Sequence, residues 1–490
     1  MRQRKELLTV LKEIDWDFSY VDERQVYPED MSGPFLSKEA WANWDEPFKT
    51  LYKEYVATQS LKEIEVATAR DLVGRLDDLQ SLSAQWLNGL KLHSATLPLA
   101  EFGAVIGNLR ASRFGRACRW RSVATYGALD ELRHTQIPLL VMHEMVRHDS
   151  QFDWTHKFFH SDNWVAIAAR HLIDELLLGS NAIEYAIATN FVFETGFTNL
   201  QFVGLSSLAH MVKDRMFEKM VTSIQSDEAR HAQAGPATLE VLAKYRPEYA
   251  QELLDKWFWR SWLLFSIVTG ICMDYMTPLE HRQTSFKEFM EEWVLNQYAS
   301  SLEKYGLKKP WYWDLFMENL EVYHHMVYVS AYTYRATVWF DMHVPSPEER
   351  LWLQKKYPKF WSDIEPIWKN IIERWQESNI GNDFAVHGTC IIGFCSLCQI
   401  VLSNGTPHHN HACLGEVDGQ THIFCSEPCK QLFLKEPHRY SNHKNIVDRV
   451  LANEAPGNLI AMLRNYFGLK YEDWGRDLHQ GDYPWMERST

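Results

Sequence analysis

The sequence predicts a mainly α-helical protein: a four-helix metal–carboxylate bundle extended by further helices, with a small C-terminal α+β zinc-binding element. Three observations predict it. A pentad occurs twice, 97 residues apart, as Asp130-Glu131-Leu132-Arg133-His134 and Asp227-Glu228-Ala229-Arg230-His231. Four long helical patterns, near 85–113, 120–147, 163–197 and 203–239, carry the pentads and two further glutamates. Six of the eight cysteines crowd between Cys390 and Cys429.

Each pentad spaces a Glu and a His by three, so on a helix both project from one face. Two such helices, joined by one more Glu from each of two others, form the dinuclear carboxylate site of ferritin-like bundles. Glu101 lies 30 residues before Glu131, and Glu194 lies 34 before Glu228, one helix upstream in each case. Glu101, Glu131 and His134 are therefore expected on one metal ion and Glu194, Glu228 and His231 on the other, with at least one glutamate bridging. A single E-x-x-H is commonly just a solvated helix face; its duplication with flanking Asp and Arg argues for a site. Four ionised glutamates balance two ferrous ions, and an uncompensated buried charge is costly. Carboxylates with only two imidazoles are hard ligands that favour iron or manganese, and iron suits oxygen chemistry.

Residues around the ligands follow from helical spacing. Asp130 precedes His134 by four and Asp227 precedes His231 by four, so each is expected to orient the histidine of its own pentad. Arg133 and Arg230 complete this outer layer. Thr198 stands one turn after Glu194 and points its hydroxyl toward the metals, or else bonds the carbonyl four residues back. Asn199 and Gln225 are its expected polar neighbours, Gln225 lying three before Glu228. Leu97 and Ala104, at −4 and +3 from Glu101, share its inward stripe, and Ala100 adjoins it. The alternative is that these three are simply core.

The chain has 490 residues, enough for one large domain with appendages. A net charge of −14 argues against nucleic acid as a partner. The basic start, Met1-Arg2-Gln3-Arg4-Lys5, is not followed by an apolar signal region. The longest uncharged apolar stretch, Ser261 to Met273, is too short to span a bilayer. A cytoplasmic protein without a membrane partner is expected.

In chain order, residues 1–60 are aromatic-rich and form a wrapping or partner-contact segment. Residues 61–300 form the bundle, with Gly196 marking a kink or π-bulge beside the metals. Residues 301–384 add helices, within a proline-punctuated stretch that includes Pro310, Pro345, Pro347, Pro358 and Pro366. Residues 385–440 carry Cys395-x-x-Cys398 and Cys425-x-x-x-Cys429, which read as a structural zinc site in a reducing compartment, or as four free buried thiols. His408, His409, His411 and Cys413 could also bind metal, although a solvated histidine-rich loop explains them as well. Residues 441–490 return to helix and a polar tail. Trp41, Trp44, Trp311, Trp313 and Tyr323, outside the bundle motifs, are expected to be buried against partners.

These motifs resemble the α (large, catalytic) hydroxylase subunit of bacterial multicomponent diiron monooxygenases of the toluene and phenol hydroxylase type. The resemblance spans nearly the whole chain. It is carried by Trp44-Asp45-Glu46-Pro47-Phe48, Asp130 to Gln136, Phe193-Glu194-Thr195-Gly196-Phe197-Thr198-Asn199, Ser223 to Gln233, Lys309-Pro310-Trp311-Tyr312-Trp313-Asp314 and Asn442 to Arg449. The cysteine pairs resemble the YHS-type element of phenol-hydroxylase-like members, while the ligand helices resemble toluene-type ones. The resemblance implies two irons and a structural zinc, with Thr198 assisting proton delivery during O₂ activation. It adds Ile173, Phe193 and Phe202 to the substrate pocket; toluene-type members often have glycine at Ala100. It implies a small aromatic or short-alkene substrate, NADH electrons arriving through a separate reductase or ferredoxin, an effector protein, and β and γ subunits in an (αβγ)₂ assembly.

Three other readings remain from the residues. A ribonucleotide-reductase-like protein would need a radical tyrosine, for which Tyr126 and Tyr185 are candidates. A ferritin would be far shorter. A non-catalytic scaffolding subunit would have lost ligands, whereas all six are present.

Overall fold

The computed structural model describes residues 19–453, apart from 77, 155–163, 177–179, 334–339, 341, 378–390, 404–410, 441–443 and 445. The basic N-terminus, His408, His409, much of the Asn442–Arg449 motif and the tail after 453 lie outside the described residues.

Helix α1 is Tyr52–Leu76, α2 is Ala84–Phe114 and α3 is Cys118–Met145. Ser83 caps α2 by accepting from the Trp86 amide, and Gly115 ends it. The two long helices, joined by a short turn, pack against each other along much of their length. Close approach is built in at Gly107, where a Cβ would fall 1.9 Å from the Tyr185 ring.

The single helix expected over 163–197 is two pieces. Helix α4 is Trp164–Asp174, and the next helix starts anew at Ala182, where the Asn181 side chain accepts from the Glu184 amide. From Ala186 to Thr198 that helix is π-helical, a far longer stretch than a local bulge at Gly196. It then continues as α5, Asn199–Met211. The expected segment 203–239 is also divided. Lys213 takes φ +65° and Asp214 caps α6, Arg215–His231; α7, Ala234–Tyr245, follows a second turn. No glycine or proline marks the first of these breaks. Asp214 holds it by accepting from the Phe217 amide and from Trp86 Nε1 at 2.9 Å.

Helix α6 shows how the ligands reach the interior. Met216, Phe217, Met220, Val221 and Ile224 form a buried stripe, and Asp227, Glu228 and His231 continue it on the same face. Helix α1 lies against α6 and α3 and is otherwise largely exposed. It crosses residue 60, the boundary expected between the wrapping segment and the bundle.

Helix α8, Pro247–Phe265, continues into two short π-helical turns; α9, Tyr323–Thr333, packs on the first of them, and α10, Pro358–Glu377, meets α9 where Trp368 approaches Tyr328 at 6.1 Å. Trp120 stacks on Trp41 at 5.6 Å and on Trp44 at 6.0 Å. Trp41, Trp44 and Tyr323 are fully buried within this chain, so the expectation that partners cover them is corrected: the chain's own helices do. Trp313 is half-buried and Trp311 is 57% exposed.

Strands occur, among the described residues, only in the C-terminal element. There β1, Ile391–Phe394, pairs antiparallel with β2, Val401–Ser403, and β3, Cys413–Val417, with β4, Gln420–Phe424. Helix α11, Glu427–Lys435, follows. Among the described residues no single helix is long and apolar enough to cross a membrane.

Candidate metal centre

Helices α2, α3 and α6 and the π-helical run each bring ligand candidates to one buried point. Glu131, His134, Glu228 and His231 offer donor atoms that all lie within 4.8 Å of one another. His134 Nδ1 is 3.0 Å from Glu228, 3.2 Å from Glu131 and 3.8 Å from Glu101. His231 Nδ1 is 3.3 Å from Glu194 and 3.5 Å from Glu131. All six predicted residues therefore come together, and all are buried.

The cluster is short of positive charge. Burial, reinforced by neighbouring carboxylates, pushes Glu228 up to about 7 and Glu131 well above its ordinary range. Burial works the other way on His134 and His231, yet the surrounding carboxylates raise both rings well above normal. Neither nitrogen of His231 makes a hydrogen bond, although carboxylate oxygens surround the ring. Nitrogens placed among carboxylates without bonding them fit a shared cation. Two divalent ions would cancel four carboxylates, so this donor set fits a dinuclear iron site.

The outer layer differs from expectation in one respect. Asp227 faces His134 Nε2 at 3.3 Å, so it serves the histidine of the other pentad, not the one four residues after it. The reason is tertiary: α6 lies across α3 and places Asp227 opposite His134. Asp130 accepts instead from Tyr55 at 3.0 Å, from Gln59 at 2.9 Å and from Arg230. Arg133 donates to Asp227 at 3.0 Å and to Ser223 at 2.6 Å. Burial opposes ionisation of Asp227, but His134 and Lys62 hold its carboxyl well below the usual range.

Spacing did not single out several supporting residues. Asn190 donates to Glu194 at 2.8 Å, and Asn108 donates to Glu131 at 3.4 Å. Asn190, four before Glu194, could have been found by the same helical rule. Tyr185, one of the two tyrosine candidates, is buried and donates to the Ala104 carbonyl at 3.1 Å. Tyr126 is half-buried, and its ring lies tilted against that of Tyr55 at 4.7 Å.

A cavity of about 130 Å³ adjoins the carboxylates. Leu97, Ala100, Ala104, Ile173, Phe193 and Phe202 all line it, as does Thr198. The Thr198 hydroxyl donates to the Phe193 carbonyl five residues back, at 3.1 Å, the π-helical counterpart of the back-bond expected as its alternative. Asn199 and Gln225 are half-buried and do not line this cavity.

In the C-terminal element Cys395, Cys398, Cys425 and Cys429 are buried, unbridged and within 4.8 Å of one another. Cys398 and Cys425 sulfurs are 3.8 Å apart, the separation that tetrahedral ligation at about 2.3 Å per Zn–S bond produces. Trp259 Nε1 of α8 donates to Cys429 at 3.2 Å, fastening the element to the helical body. His411 and half-buried Cys413 stand outside this group.

Residues 16–245 match the family described as Methane/Phenol/Alkene Hydroxylase. The chain is 37% identical to the oxygenase component subunit alpha of the alkene monooxygenase system of Xanthobacter autotrophicus (strain ATCC BAA-1158 / Py2), over 98% of this chain and 97% of that one. It is 27% identical to the oxygenase component of phenol 2-monooxygenase of Pseudomonas sp. (strain CF600), over 94% and 89%. Its fold matches the crystal structure of phenol hydroxylase from Pseudomonas sp. OX1 with a TM-score of 0.86 at 24% identity, over 96% of each chain.

Proposed function

Because the chain belongs to the methane/phenol/alkene hydroxylase family, we propose that it is the catalytic oxygenase chain of a multicomponent monooxygenase acting on a small apolar substrate. One observation carries this reading: four buried carboxylates and two buried imidazoles converge beside an apolar cavity.

Glu101, Glu131 and His134 would hold one iron, and Glu194, Glu228 and His231 the other. The two irons, when bound, would supply O₂ reduction and insertion of one oxygen atom, the second leaving as water. The protein's own contribution is to bind, orient and exclude water. Asp227 fixes the His134 ring through its outer nitrogen. Leu97, Phe193 and Phe202 keep the substrate wall dry. The Thr198 hydroxyl, on the cavity wall, is placed to pass a proton, whereas Asn199 and Gln225 lie off that wall.

The cavity is close to the roughly 150 Å³ of an engineered cavity that takes up benzene. A short alkene or a single small ring fits. Oxygenation of a short alkene is the narrower choice, supported by the alkene monooxygenase relative; a phenol or toluene-type ring is the other.

Electrons would come from NADH through a separate reductase or ferredoxin, since the chain carries no flavin or nicotinamide fingerprint. β and γ subunits in an (αβγ)₂ assembly and an effector protein complete the proposal. Exposed Phe102, Ile106 and Leu109 on α2 and Leu129 and Leu132 on α3 support a partner surface. A cytoplasmic setting, a bundle over 61–300 and a zinc element over 385–440 belong to the same reading.

The test is incubation of the reconstituted system with NADH, ¹⁸O₂ and propene or benzene. One labelled oxygen per product is expected, and a product without label overturns the reading.

A further inference from the structure

Helix α1 carries no ligand, yet one of its faces is devoted to the outer layer of the metal centre. Tyr55, Gln59, Lys62 and Glu63 fall within two turns on a common side. The Tyr55 hydroxyl donates to Asp130 Oδ1 at 3.0 Å. The Gln59 amide donates to the same oxygen at 2.9 Å and to Asp227 Oδ1 at 2.7 Å, joining the acids of both pentads. Lys62 Nζ makes an ion pair with Asp227 Oδ1, and Glu63 accepts from Arg133. Arg133 donates in turn to Asp227 Oδ2, the oxygen that faces His134.

These contacts do not read as glue for an ordinary surface helix. Lys62 and Asp227 are mostly or wholly shielded from water, with side-chain exposures of 16% and 0%. Most other positions of α1 are exposed. A buried carboxylate beside a ligand's outer nitrogen sets the ring's orientation and donor strength. A cation on that carboxylate withdraws charge from it, and so from the ring.

We propose that Lys62 and Gln59 are positioning residues for the metal centre: α1 fixes the charge carried by Asp227 and, through His134, the ease with which the irons are reduced. The inference rests on the function proposed above. Loss of the Lys62 cation leaves Asp227 more electron-rich, makes His134 a stronger donor and favours the ferric state.

The experiment uses the purified oxygenase complex carrying Lys62→Met, with Lys62→Arg as the conservative rescue. Iron per chain is measured alongside the ratio of reduced to oxidised iron at a fixed solution potential. The expected result is undiminished iron, a reduced-to-oxidised ratio at least tenfold lower in Lys62→Met, and recovery in Lys62→Arg. An unchanged ratio with full iron overturns the proposal. If Lys62→Met does not fold, Gln59→Met is read the same way, and an unchanged ratio there overturns it. A parent complex that holds no iron defeats the proposed function itself, and this inference with it.

Discussion

His134 and Asp227 belong to different pentads, yet they meet: His134 Nε2 lies 3.3 Å from Asp227 Oδ2, while Nδ1 of the same ring faces Glu228 at 3.0 Å. One ring nitrogen is thereby assigned to the ligand cluster and the other to the outer carboxylate. The two pentads are halves of one device, each supplying an acid or a ring that the other half uses.

This crossing makes Asp227→Ala informative. The variant should keep its helices but bind iron 10–100-fold more weakly, in the usual range for loss of a carboxylate behind a ligating histidine. Iron retained after dialysis against a graded chelator measures it. Retention equal to the parent would show that the His134 orientation does not depend on Asp227.

Gly107 and Tyr185 give a packing prediction. A Cβ at residue 107 would meet the Tyr185 ring at 1.9 Å, and that ring lines the cavity. Gly107→Ala must displace a fully buried side chain, at a cost of about 1–3 kcal/mol for overpacking. A lowered melting temperature and a changed product distribution are expected together. A shift in neither would mean that the ring moves freely.

Glu175, paired with two cations of α8, gives the fold a stability that depends on pH. Burial alone would raise its pKa, but Arg260 at 2.8 Å, Lys256 at 3.5 Å and the Tyr440 hydroxyl bring it down to about 2. A depressed carboxyl stabilises the fold above its unfolded pKa, near 4.5, and loses that contribution as pH falls toward 2. The shift corresponds to about 3 kcal/mol. Glu175→Gln should therefore be less stable than the parent at pH 6, and the gap should shrink below pH 4. Denaturant midpoints across that range decide it, and a gap independent of pH would contradict the assignment.

The cysteine cluster predicts one zinc per chain. Cys429→Ser should lower zinc content and melting temperature while leaving iron content unchanged, because Cys429 contacts Trp259 of α8 and no iron ligand. Simultaneous loss of zinc and iron would show that the two sites are not separable.

What could be read from the sequence was what depends on local spacing. The E-x-x-H pairs and Leu97 and Ala104 around Glu101 are periodicity within one element, the cysteine pairs are short spacing, and the upstream glutamates lie one helix earlier in the chain. What could not be read depends on which helix lies across which. Asp227 looked assigned to His231 because four residues is one turn; only the packing of α6 on α3 reassigns it. Spacing does not reveal the role of Tyr55, Gln59 and Lys62, because their partners are 71 to 168 residues away. The π-helical run around Glu194 was foreshadowed at Gly196, but its thirteen-residue extent was not. Trp41 and Trp44 looked like partner surface because nothing in their own segment announces Trp120.

Thr198 supplies the last prediction, and its backbone explains why two variants are needed. Its hydroxyl donates to the Phe193 carbonyl, so its one proton stabilises the π-helical run, while its lone pairs remain on the cavity wall. Thr198→Val removes both the proton and the lone pairs with little change of shape. Thr198→Ser keeps the hydroxyl and loses only a methyl group. If Thr198 passes a proton, Thr198→Val should consume NADH with several-fold less product per NADH, and Thr198→Ser should stay near parental coupling. If Thr198 serves only the helix, Thr198→Val should lower the melting temperature by the equivalent of about 1 kcal/mol for one hydrogen bond and leave coupling unchanged. Product per NADH and melting temperature, measured on the same preparations, separate the two roles.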